Sequence, residues 1–199
     1  MDGKLVITVS RQYGAGGRSV ARGLSEHFGI PFYDNDFVKK TAEESGYSVE
    51  EVQAEGESIS RGAIILNKVL NNASSYTSSH DAIFLAEKKV IIELAQQPCI
   101  IVGRSANLVL EEAGIDSVDI YLYADAEHRL KRAAELQENE GMELKKYVEK
   151  RDHMREMYCR NYLGKDMKDS TNYDICVNTG LFSMEQTIKS LIELIEARK

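Results

Sequence analysis

The chain has 199 residues, enough for one α/β domain with a full core and a small inserted lid. Its net charge of -7 excludes a general nucleic-acid binder, whose footprint is basic, but leaves room for a local basic pocket. Cys99, Cys159 and Cys176 stand too far apart for a Cys-x-x-Cys pair or a zinc pattern, which points to a reduced, cytoplasmic protein.

Met1-Asp2-Gly3-Lys4 runs directly into the first strand, so no leader is expected, and no apolar run approaches membrane length. Leu5 to Val9 is short, β-branched and followed at once by turn residues, which predicts a buried strand. From Ser19, the residues Val20, Ala21, Leu24 and Phe28 repeat at helical spacing and predict a helix to about His27, stopped by Gly29. Between them lies Arg11-Gln12-Tyr13-Gly14-Ala15-Gly16-Gly17-Arg18. A strand, a glycine loop and a helix N-terminus gather backbone N–H groups and the positive helix end around one point, which is a phosphate cradle. Gly14, Gly16 and Gly17 let the backbone come close to an anion. The usual spacing, G-x-x-x-x-G-K-[ST], is partly met. Arg11 stands at the first Gly position and Gly17 at the Lys position, and Ser19 lies one residue further on with a hydroxyl suited to Mg²⁺. The charge of the loop Lys then has to come from Arg11 or Arg18, and neither replaces it atom for atom. The plainer alternative is a turn that only joins strand to helix.

Ile30 to Tyr33 is a second short strand ending in Asp34-Asn35-Asp36. Ligands of an open parallel sheet sit beyond the C-terminal strand ends, so Asp34 and Asp36 should lie near the loop, holding Mg²⁺-bound water or a nucleotide hydroxyl; Asp36 alternatively caps the next helix. Residues 37–96 read as mostly helical, too long for a plain crossover, and therefore as a helical substrate-binding insertion. It contains a capping-box pattern at Ser48 to Glu51, a helical run at Ala63 to Leu70, a polar loop at Asn71 to Ser79 and an amphipathic helix at Asp81 to Gln96. Its apolar surface could support a homodimer.

Pro98 to Val102 is a third, wholly apolar strand, followed by Gly103-Arg104-Ser105. Arg104, just past the strand end, suits a phosphate or carboxylate; the alternative is a salt bridge pinning the following helix. Ser117 to Tyr123 is strand four, ending at Ala124-Asp125. On the next helix Arg129 reads as solvent-facing or structurally paired, and Arg132 as a further phosphate candidate. Met142 to Leu163 is a long polar helix or hairpin. Arg151, Arg155, Tyr158 and Tyr162 share one of its faces and Arg160 lies off it, which suggests a lid closing on an anion. The alternative is a solvated face paired with Glu149, Asp152 and Glu156. Tyr173 to Asn178 is strand five, and the capping box Ser183 to Gln186 opens a last helix to Arg198. The four histidines are scattered without a metal partner.

Ile7 to Ser19, Ile30 to Asp34, Ile101 to Ala106, the segment Arg151 to Tyr162 and Tyr173 to Thr179 together resemble the cytidylate kinase-like branch of P-loop nucleoside monophosphate kinases. The resemblance implies an α/β fold with a five-stranded parallel sheet in the order 2-3-1-4-5, a helical insertion for the monophosphate at 37–96 and an Arg-rich lid at about 142–165, all in one domain over 1–199. It implies Mg²⁺ and ATP as donor and a pyrimidine monophosphate such as CMP or dCMP as acceptor, with no nucleic acid and no membrane as partners. Carried over by position, Gly14, Ala15, Gly16, Gly17, Arg18 and Ser19 hold the ATP phosphates and Ser19 touches Mg²⁺. Arg104, with Asp34 and Ser105, meets the acceptor, and Arg11, Arg18, Arg151 and Arg155 stabilise the transferring group. Val102 and Ser105 stand where that branch carries two acids. Two other readings remain: a regulatory protein that binds a nucleotide through a degenerate loop without turnover, and a dinucleotide-binding domain, imitated by Gly14-x-Gly16 with Asp34 downstream.

Overall fold

In the computed structural model the described residues are 4–34, 37, 40, 44 and 79–198. The elements in chain order are β1 (Val6–Arg11), α1 (Gly17–Phe28), β2 (Phe32–Tyr33), α2 (Ser79–Leu94), β3 (Cys99–Val102), α3 (Ala106–Glu112), β4 (Val118–Tyr123), α4 (Ala126–Leu136), α5 (Leu144–Leu163), a 3-10 turn (Ser170–Asn172), β5 (Ile175–Asn178) and α6 (Met184–Glu196). The expected capping box at Ser48, the helix at Ala63 to Leu70 and Asp36 lie outside the described residues. So does the loop from Asn71, except that Ser79 already opens α2.

The strands form one parallel sheet in the order β2-β3-β1-β4-β5, with Ile7 opposite Ile100 and Val118. This is the order that the family resemblance implies. It removes the dinucleotide-binding alternative, whose strands run 3-2-1-4-5-6.

Period-two alternation of strand side chains builds the two faces. Ile7, Val9, Ile100, Ile120 and Leu122 pack with Val20 and Leu24 of α1 and Leu191 and Ile195 of α6. Val6, Cys99 and Ile101 pack on the other side with Val90, Ile91, Val109 and Leu110. Gly23 lets α1 and α6 approach, since a Cβ there would come within 2.6 Å of Ile188 Cδ1. No helix among the described residues is long and apolar enough to cross a membrane.

Two boundaries matter for the site. β1 extends to Arg11 instead of stopping at Val9, so Arg11 leaves a paired strand and not a loop. α1 begins at Gly17 and not at Ser19, because Gly16 at φ 87 provides the left-handed turn that opens the helix.

Candidate active site

The glycine loop is held at several points by long-range bonds. Gln12 N donates to Leu122 O at 3.0 Å, and Gln12 Oε1 accepts from Ala124 N at 3.2 Å, so the loop leaves along β4. Thr179 Oγ1, buried after β5, donates to Ala15 O at 3.0 Å. Tyr13 N donates to Asp152 Oδ1 of α5 at 2.6 Å. Asp152 also pairs with Arg129 of α4, whose Nη1 donates to Tyr13 O at 3.3 Å. A Cβ on Gly14, at φ 80, would fall 2.5 Å from the Arg129 carbonyl oxygen, so only glycine fits between loop and α4. The Gly16 N-cap of α1 has no side-chain bond, and the first-turn N–H groups of the helix are left for an anion.

Above the loop lies a cavity of about 370 Å³ whose wall includes Arg11, Arg18, Arg104, Arg132, Arg151 and Arg155. Among the described residues, Asp34 and Glu138 are the carboxylates on that wall. Arg18 takes up both, with Nε 2.5 Å from Asp34 and Nη1 3.0 Å from Glu138. Arg132 Nη2 donates to Ser19 Oγ at 2.7 Å. Arg155 Nη1 donates to Arg11 O at 3.4 Å, and its guanidinium lies 5.5 Å from the Tyr13 ring centroid; Arg151 lies 5.9 Å from the same ring. Burial first, and the neighbouring Arg155 second, push the Arg11 and Arg151 guanidinium groups down from their usual value. Burial does the same to Arg155. Crowded, desolvated cations on one wall favour a ligand of high negative charge.

Arg104 sits in a run of three left-handed residues, Gly103, Arg104 and Ser105, at φ 86, 56 and 48. Such a backbone costs about 1 kcal/mol or more per non-glycine residue and persists only where other contacts hold it. One such contact is Glu87, which is fully buried on α2 and lies 3.0 Å from Arg104 Nη1. The Tyr158 hydroxyl of α5 donates to the other Glu87 oxygen. Burial raises the Glu87 carboxyl above its usual range, opposed by Arg104 and Tyr158. Ser105 is buried.

Arg11, Gly14, Gly16, Gly17, Arg18, Ser19, Asp34, Arg104, Ser105, Arg151 and Arg155 all reach the cavity wall. Ala15 does not: its side chain is fully buried in the sheet core, and only its backbone belongs to the loop. Arg104 makes the bridge that the alternative reading foresaw, but to the preceding helix α2 and not to the following one. Arg129 forms a part-buried structural pair with Asp152, and Arg160 lies exposed 3.7 Å from Asp166. Sequence reasoning missed Glu87, Glu138 and the clamp at Asp152. Glu87 had a signal: it falls on the apolar stripe of α2, between Ile83 and Val90, where a carboxylate needs a partner.

Residues 6–181 match the model of a family described as the cytidylate kinase-like family. A cytidylate kinase from Pyrococcus horikoshii is 28% identical over 188 residues, covering 92% of this chain and 83% of the relative. One from Archaeoglobus fulgidus is 22% identical over 194 residues, covering 97% and 96%. An uncharacterized protein from Eubacterium ventriosum superposes with a TM-score of 0.69 at 22% identity, covering 98% of this chain and 100% of the other. A shikimate kinase from Bacteroides thetaiotaomicron gives 0.61 at 15% identity, covering 98% and 99%; these two likenesses concern the fold alone.

Proposed function

From the chain's membership of the cytidylate kinase-like family, we propose that it is a P-loop phosphotransferase moving the γ-phosphoryl group of ATP to a nucleoside monophosphate such as CMP or dCMP. The observation that carries this reading is the six-arginine wall facing an uncapped helix N-terminus across one cavity. An acceptor phosphate is already anionic at neutral pH, so no general base and no covalent intermediate are needed. One acceptor oxygen bonds the γ-phosphorus while the bond to the β-bridging oxygen breaks, giving a nucleoside diphosphate and ADP. Positioning and charge stabilisation supply the catalysis.

In this reading the backbone of Gly14 to Ser19 holds the donor phosphates. Arg104, with Asp34 and Ser105 beside it, takes the acceptor phosphate. Arg11, Arg18, Arg151 and Arg155 meet the charge that spreads over the transferring group. Residues 37–96 supply the acceptor's cover, and 142–165 act as the lid. Mg²⁺ fits through the Ser19 hydroxyl, which faces the cavity and keeps a second lone pair beside the one that Arg132 uses. In this reading Asp34, which reaches the same cavity, would hold a metal-bound water. A Mg²⁺ ion held there would supply positive charge that offsets the charge of the phosphates.

The test is ADP production from Mg²⁺ and ATP across a panel of nucleoside monophosphates, with Ser19→Ala alongside. Turnover with CMP or dCMP that falls at least about tenfold in Ser19→Ala is the expected result. The second reading, a binding protein without turnover, draws on Gly17 at the lysine position. It predicts thermal stabilisation by ATP with no acceptor consumed.

A further inference from the structure

The wall of arginines does not say which of them does the work of the missing loop lysine, but the packing around two glycines does. Ile7, Val9 and Arg11 point to the same face of β1, the face on which α1 lies. Arg11 therefore emerges directly over the first residue of that helix. A Cβ on Gly17 would lie 3.0 Å from Arg11 Cγ and 3.2 Å from Cδ. At the far end, a Cβ on Gly103 would fall on Arg11 Nη1, well inside contact distance. The Arg11 side chain thus crosses the start of α1 and ends at the tip of β3, between the phosphate loop and Arg104.

Arg18, the other candidate, is half exposed and already engaged by Asp34 and Glu138. Arg11 is mostly buried, with 16% of its side chain exposed; its nearest acid among the described residues is Asp34 at 3.8 Å, and the Arg155 charge opposes its own. Its charge is the less compensated of the two and lies deeper in the cavity.

We propose that Arg11 and Gly17 are a paired exchange: the cation a P-loop carries on its helix-opening lysine is supplied from the end of β1, and position 17 is glycine because the Arg11 stem occupies the space of its side chain. The ligand served is the terminal phosphate of a polyphosphate chain. The proposal rests on the phosphate-site reading given above but not on turnover, so its test reads binding and stability.

The experiment is a cycle of wild type, Arg11→Met, Gly17→Lys and the double variant. Each is titrated with ATP and with inorganic tripolyphosphate by calorimetry, and each is melted without ligand. Arg11→Met is expected to weaken both ligands about tenfold or more, with a melting temperature no lower than wild type, because an undercompensated, mostly buried cation has been removed. A merely structural arginine would lower the melting temperature. Gly17→Lys alone is expected to weaken binding and lower the melting temperature, since the new Cβ meets the Arg11 stem and a second cation joins Arg155. In the double variant, affinity should return to within about threefold of wild type, a clear departure from additivity. Unchanged affinity in Arg11→Met, or strictly additive losses in the double variant, overturns the exchange. If wild type binds tripolyphosphate but not ATP, the nucleotide reading fails and the cycle is judged on tripolyphosphate. If it binds neither, both proposals fall.

Discussion

Asp152→Ala is expected to destabilise the fold by about 3–5 kcal/mol, the cost of leaving a buried charge without its partner. Asp152 is buried, accepts the Tyr13 N–H at 2.6 Å, pairs with Arg129 and lies 3.9 Å from Arg155. Truncation strands the Arg129 guanidinium under the loop and leaves the Tyr13 N–H unsatisfied. Arg129 Nε already has no hydrogen-bond partner among the described residues, so the site has little reserve. In urea this should lower the midpoint by roughly 1–2 M at an unchanged slope of about 2–3 kcal/mol/M. Adding Arg129→Met should recover much of the loss, since the unpaired charge goes with it. A loss below about 1 kcal/mol would mean that Arg129 finds another acceptor and that Asp152 is not the clamp. The same change should weaken ATP binding, because Asp152 joins the loop to the helix that carries Arg151 and Arg155.

Arg104→Ala is expected to weaken the acceptor monophosphate about a hundredfold, ~2.8 kcal/mol, while ATP affinity stays within about twofold. Equal loss of both ligands would make Arg104 structural. A stability effect accompanies it and has its own signature. Glu87 is buried, and its carboxyl is already raised above the usual 4.5. Without Arg104 it rises further. A raised carboxyl favours the folded state below its unfolded value and loses that contribution as pH climbs through the folded value. The deficit of Arg104→Ala should therefore be small near pH 4.5 and grow toward neutrality. Glu87→Gln in the same background should remove this pH dependence, since the amide oxygen still accepts from Tyr158 and carries no charge. A deficit that does not change with pH would show that Glu87 is not the group responsible.

The fold was legible because its signals are local. Ile7 and Val9 alternate, Val20 and Leu24 recur at helical spacing, and Gly29 and the Ser183–Gln186 box mark a helix end and a helix start. Most of the candidate site was legible for a related reason: in a parallel sheet, residues at or just past the strand ends share one edge, so Arg11, Asp34 and Arg104 come to one edge. Glu87 was not, because its meaning depends on Arg104 from β3 and Tyr158 from α5. The length of β1 was not either; Arg11 has no strand propensity of note, and it is held in the ladder by its place opposite Leu122.

By itself, the sequence determined the order of strand, glycine loop and helix, the faces of α1 and α5, the start of α6, and the set of arginines that an anion site could draw on. These follow from periodicity and turn chemistry within a few neighbouring residues. Only the tertiary structure decided which arginine lies over Gly17, that Asp152 clamps a loop 139 positions away, and that Arg104 is braced by a buried carboxylate. Those outcomes depend on burial and on distances of a few ångströms between segments remote in the chain, and a charge has no fixed role until its partners and its exposure are set.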